Sequence, residues 1–146
     1  MKIDTANAMK GAVNEAVEQI TQEAKSRAFR ASNELRNSAL FVLRGERSGR
    51  VYRKPFTAKA TYKASAPGEP PAIRSGALRE SWRQRNESEN TGSSLTVRAA
   101  ITTDVKYAPW LNDGTKDGHI DPRPFEEPIV EHAKPRIRKI FKEPYR

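Results

Sequence analysis

The sequence predicts an α+β fold: a long N-terminal helix, a small antiparallel sheet with a hairpin, short helices and a C-terminal helix. Three observations carry this. Residues 4–43 place apolar side chains at helical spacing without a proline. Residues 95–102 alternate with a period of two. Residues 125–141 return to helical spacing. A length of 146 residues suits one domain. It divides into the helix at 1–43, a basic loop and proline-rich arm at 44–75, and an α+β body at 76–146.

In the first helix the apolar positions are Met9, Val13, Ala16, Val17, Ile20, Ala24, Ala28, Ala31, Leu35, Ala39 and Val42. Asp4 or Thr5 can cap its first turn. Gly11 is its weak point and could mark a later start. Forty residues would span about 60 Å at 1.5 Å per residue, more than a compact domain of this size needs. The stripe is alanine-rich, which favours close helix approach. Part of the helix is expected to pack on another subunit, the alternative being a bent helix folded on its own domain.

A basic loop, RGERSGRVYRKPF, follows, with a short strand at Val51-Tyr52 and a second strand within Thr57–Ala64. Pro67, Pro70 and Pro71 then force an extended arm, because the residue before each proline is excluded from the helical region. Gly68 supplies a bend, and Ser75 can cap a short helix from Gly76 to about Glu80. Strands at 82–87 and 95–102 form a hairpin across the turn-rich NESENTGSS. In the second, Leu95, Val97, Ala99 and Ile101 face inward. Residues 107–111 make a short apolar turn or helix, ended by Gly114 at positive φ. The last helix should bury Ile129, Val130, Ala133, Ile137, Ile140 and Phe141, with His132 at its surface. Pro135 should kink it or split it.

The chain has no cysteine, which excludes a disulfide framework and thiolate chemistry. No stretch approaches a membrane span and no signal peptide is visible at the start, so the expectation is a protein made in the cytosol with no membrane partner. His119 with Asp113, Asp117 and Asp121 does not form a metal motif. No nucleophile elbow or P-loop is present. No catalytic residue, metal or cofactor is assigned, and the chain is not expected to be an enzyme. The net charge of +9 is concentrated. Residues 44–85 hold 11 Lys/Arg and 3 Asp/Glu, while the flanking parts are nearly balanced. Arg44, Arg47, Arg50, Arg53 and Lys54 open this block. Such a block suits a polyanion, most often nucleic acid, or else a solvated basic loop.

Three pieces in order carry a resemblance. They are ASAPGEPPA with RSGAL at 64–78, YAPWLNDGT at 107–115, and RPFEEP at 123–128. Together they resemble the tail-completion, head–tail joining or neck, proteins of tailed bacteriophages, the lambda protein Z-like family. The likeness covers roughly residues 40–142. Ser65, Ala66, Pro67, Gly68, Pro70, Pro71, Gly76 and Leu78 match the first piece. Ser75 stands where threonine is more usual. Tyr107, Ala108, Gly114 and Thr115 match the second, with Asn112-Asp113 replacing the usual acidic residue. Arg123, Pro124 and Phe125 match the third, and Arg123 could pair with a carboxylate. The resemblance implies a structural virion protein at the head–tail junction, present in the host cytoplasm during assembly. It implies a homo-oligomeric, hexameric ring around the DNA channel that contacts head connector or stopper and tail-tube proteins, with packaged DNA passing through it non-specifically. The five basic residues would then face the channel. The competing expectation is a free, sequence-independent nucleic-acid-binding protein. A third, a small nuclease or toxin, predicts metal-dependent cleavage.

Overall fold

Helix α1 runs from Thr5 to Val42 in the computed structural model, which describes residues 5–146, with side-chain surroundings from Met9 onward. Its 38 residues make it about 57 Å long. Gly11 lies inside the helix and has open space around it. The cap expected from Asp4 or Thr5 lies outside the described side chains.

After α1 come β1 (Val51–Arg53), β2 (Thr61–Lys63), α2 (Ala77–Glu80), β3 (Arg83–Asn90), β4 (Leu95–Thr102), α3 (Ala108–Asp113) and α4 (Glu126–Lys142). The strands form two separate antiparallel pairs, β1 with β2 and β3 with β4. The second pair is longer than expected on its first strand, with Arg83 opposite Thr102 and Asn90 opposite Leu95. Leu95, Val97, Ala99 and Ile101 are half-buried, so the alternating strand does turn one face inward.

Helix α4 packs antiparallel on the second half of α1. Its start meets the end of α1 through Phe125, Ile129, Ala39 and Leu43. Its last turn, Phe141, reaches back to Arg27. Ala24, Ala28, Ala31, Ala39 and Ala133 are all buried, and these small side chains let the two helices approach closely. At one end of this seam lies the core, Leu43, Leu78, Ala108, Phe125 and Ile129, bordered by Trp82, Ile101, Val105 and Leu111. Trp82 meets Phe125 edge-on at 6.0 Å between ring centres.

Four expectations need correction. Pro135, expected to kink or split α4, does not split it, since α4 is continuous from Glu126 to Lys142. Pro135 and Glu131 are exposed, so the hydrogen bond lost to the ring lies on the solvent side, where it costs least. Val130 and Phe141 are exposed, because α4 touches α1 along a narrow stripe through Ile129 and Ala133. His132 is half-buried: its ring stacks on Phe41 at 4.3 Å, and Nδ1 lies 2.9 Å from the Ser38 hydroxyl. Ser75 is not the N-cap of α2. That position belongs to Gly76 at φ 85°, while the Ser75 hydroxyl accepts from the Ala77 amide at 3.3 Å.

Candidate nucleic-acid interface and the junction behind it

The basic block folds into a ribbon. Gly49 donates its amide to the Ala64 carbonyl at 2.8 Å, and Lys54 donates to Ala60 at 2.7 Å, extending the β1–β2 pair at both ends. Gly49 is required here, since a Cβ would sit 2.5 Å from the Ala64 carbonyl oxygen. Tyr52 and Tyr62 face each other across the strands at 5.9 Å. The tip carries Phe56 at φ 59°, its ring fully exposed. A bulky residue in the left-handed region is strained, and such strain gathers where a segment is built to be presented.

The five basic positions do not share one face. Alternation along the ribbon places Arg50 and Lys54 on the Tyr52 side and Arg53 on the other, beside Lys63 and Thr61. Arg44 is exposed just beyond α1, with its guanidinium 5.6 Å from the Phe41 ring centre. Arg47 is turned inward. Its guanidinium donates to the carbonyls of Val42 at 2.8 Å, Glu46 at 2.9 Å and Pro71 at 3.2 Å. It closes the C-terminus of α1 and ties that end to the arm. Burial pushes its pKa below the ordinary arginine value, against the pull of Glu69. Arg47 is therefore a structural residue, which sequence could not distinguish from its neighbours.

Behind the ribbon, three segments distant in sequence meet. The arm turns at Ala66–Glu69, where the Glu69 amide donates to the Ala66 carbonyl at 3.1 Å. Pro67 and Gly68, at φ 86°, occupy the central positions, a type II arrangement. Gly68 then donates its amide to the Pro122 carbonyl at 3.1 Å. Arg123 Nε donates to the Ser65 hydroxyl at 2.9 Å, and its own amide donates to the Leu111 carbonyl at 2.7 Å. Arg123 thus pairs with a hydroxyl and with carbonyls, not with the carboxylate expected. Pro71 is buried, so the arm packs against its own chain.

Asn112 has a bonding role that links two segments. Its Oδ1 accepts from the amides of Phe125 and Glu126 at 3.0 and 3.1 Å, capping α4 from another segment. Gly114 follows at φ 76°, ψ 178°, with the Ile120 carbonyl oxygen 2.8 Å from where a Cβ would stand. Thr115 closes the next loop: its hydroxyl accepts from the Ile120 amide at 3.0 Å. Tyr107 is exposed and Pro124 half-buried. Leu78 joins the core with Phe125.

Three important residues were missed by sequence reasoning. Glu69 accepts from the Ser48 hydroxyl, from the Ser48 amide at 3.1 Å and from the Ala66 amide at 2.9 Å. These bonds hold its pKa at about 2, with the Ser48 hydroxyl the largest cause. Arg27 is fully buried on the alanine seam. It donates to Glu23 at 2.7 Å and to the Pro144 carbonyl at 3.0 Å, and lies 3.8 Å from the Tyr145 ring centre. The sequence did carry a sign of this, a cation between Ala24 and Ala31 on the apolar stripe. Asn112 had no such sign, because its partners lie 13 and 14 residues away.

Among the described residues, no group of three or more His, Asp or Glu side chains is placed to hold a metal, and no helix is long and apolar enough to cross a membrane. Comparison with protein-family models, with curated proteins and with solved structures finds no match to this chain.

Proposed function

We propose that this chain is a structural protein of the neck of a tailed bacteriophage, completing the tail and joining it to the DNA-filled head as a ring around the DNA channel. The observation that supports it most is the convergence of three segments. The pieces at 64–78, 107–115 and 123–128 resemble that family in order, and they are bonded into one junction through Ser65–Arg123, Leu111–Arg123 and Asn112–Phe125. A shared pattern whose parts cohere physically reads as one architectural unit. The role is architectural rather than catalytic. Sixfold symmetry, head-connector, stopper and tail-tube partners, and a place in the virion follow from the resemblance.

DNA passes such a ring without its bases being read, which calls for phosphate contacts alone. Arg44, Arg50, Arg53 and Lys54 are assigned that role, and Arg47 is withdrawn from it. The test is electron microscopy of lysates from a phage with a stop codon in this gene, with and without complementation. DNA-filled heads beside unattached tails are expected. Intact infectious particles would sink the proposal.

The basic ribbon also favours a second reading, a free nucleic-acid-binding protein. That reading expects the isolated chain to bind DNA with a steep salt dependence. The neck reading expects weak binding by the isolated chain.

A further inference from the structure

The apolar seam of α1 does not stop where its cover stops. Ala24, Ala28 and Ala31 are buried, yet Met9, Val13, Val17 and Ile20 continue the same line at 68, 59, 53 and 47% exposure. Steps of four, four and three keep them on one helix face. A cleft of about 970 Å³ opens beyond the other end of α1, between the ribbon, the arm and α3. Phe56, Tyr62, Leu78, Leu111 and Ile120 line it, and Lys54 and Arg74 stand among its polar groups.

We propose that the N-terminal half of α1 from one copy of this chain lies in the cleft of a second copy. Charge favours this pairing. Residues 9–20 carry Lys10 against Glu15 and Glu18, whereas the cleft carries Arg74, Arg79 and Arg123 against Asp121, even leaving out Lys54, which is assigned to DNA. Glu15 and Glu18 lie on the helix face opposite the apolar stripe, so they would sit at the cleft mouth. Laying stripe against stripe would instead join two segments of like sign. Two such short stripes side by side would also bury well under the roughly 1,200 Å² that a stable interface takes, while a cleft wraps its occupant. Reach excludes self-occupancy. The rigid helix holds Ile20 about 35 Å from Leu43, which lines the cleft.

The contact joins two different surfaces and leaves one of each unfilled on a pair of copies. Such a heterologous contact propagates to a closed ring or an open filament. This deepens the ring-forming part of the proposed function and rests on that reading for closure. The neck role is tested in phage and the contact in purified protein, so either can fail alone.

The chain has no cysteine of its own, so introduced thiols report proximity cleanly. V17C protein is mixed with I120C protein under mild oxidation. Both positions are exposed, and circular dichroism establishes that each variant is folded. A V17C–I120C cross-linked dimer is expected, and it should be lost when V13E is added to the V17C chain. V17C mixed with S88C, on the exposed β3, should give none. The V17C/I120C double variant should give a ladder or a closed species. A V17C–I120C yield no greater than the S88C control overturns the proposal. Self-cross-linking of V17C in its place also overturns it and assigns the stripe to a helix pair.

Discussion

Arg47 and Arg50 are three positions apart in one basic run, yet they sit in different physical situations. Arg47 directs its donors to three carbonyls, and Arg50 is exposed. Arg47→Ser should therefore lower stability by about 1.5–3 kcal/mol, the value of hydrogen bonds from a charged donor. Arg50→Ser should stay within about 0.5 kcal/mol of wild type, as surface changes do. Urea unfolding of the two variants checks this. Glu69 gives a pH prediction. Its pKa falls from 4.5 to about 2 on folding, so its stabilising contribution is complete above about 4.5 and is lost as pH falls through that interval toward 2. Glu69→Gln should melt a few degrees below wild type at neutral pH, and the gap should close as pH falls toward 2. A gap that persists at pH 2 would mean the glutamine disturbs packing instead. Gly114 holds a backbone conformation nearly restricted to glycine, with the Ile120 carbonyl oxygen 2.8 Å from where a Cβ would stand. Gly114→Ala should cost at least about 1–3 kcal/mol.

At the scale of elements, α1 does two jobs along its length. From Thr21 to Val42 it is the wall on which α4, the β3–β4 hairpin and the C-terminal tail pack. Arg30 holds Glu143 through two bonds at 2.7 and 3.0 Å, and Arg27 holds Pro144. From Met9 to Ile20 every residue is exposed. Residues that bury nothing contribute little to stability. Measured on the monomer, at concentrations too low for self-association, removing residues 1–20 should leave the melting temperature within about 2 °C of the full chain, a shift that corresponds to under about 1 kcal/mol. The same deletion should abolish complementation of a phage carrying a stop codon in this gene. A large fall in the monomer's melting temperature would show that the segment folds back onto its own body. The periodicity of this helix was legible throughout, including its length. Which half is covered was not, because periodicity records a preferred face and says nothing of what lies against it.

For the whole molecule, the distribution of charge matters more than its sum. The ribbon projects Arg50, Arg53, Lys54, Lys59 and Lys63, more than half of the net charge of +9, from the body. If assembled rings present these side chains to DNA, each phosphate left without its cation reduces the slope of log binding constant against log salt by about 0.9. The triple variant Arg50→Ser, Arg53→Ser, Lys54→Ser should lower that slope by up to about 2.7. Filter retention of DNA at several salt concentrations measures it, and an unchanged slope would remove these three residues from the interface.

The sequence by itself determined the α+β class, both long helices, the turn at Pro67-Gly68, the period-two strand and the place of the basic block. Each of these is a local matter, set by proline geometry, side-chain spacing or charge within a few residues. Tertiary structure alone decided that the strands form two separate hairpins, that Arg47 faces inward, that Arg27 is buried, and that Asn112 caps a helix from another segment. It also decided that the arm folds back onto its own chain, through bonds such as Ser65 to Arg123 across 58 residues. Partners so far apart leave no periodic trace, because nothing in the spacing of one segment registers the atoms that another will bring to it.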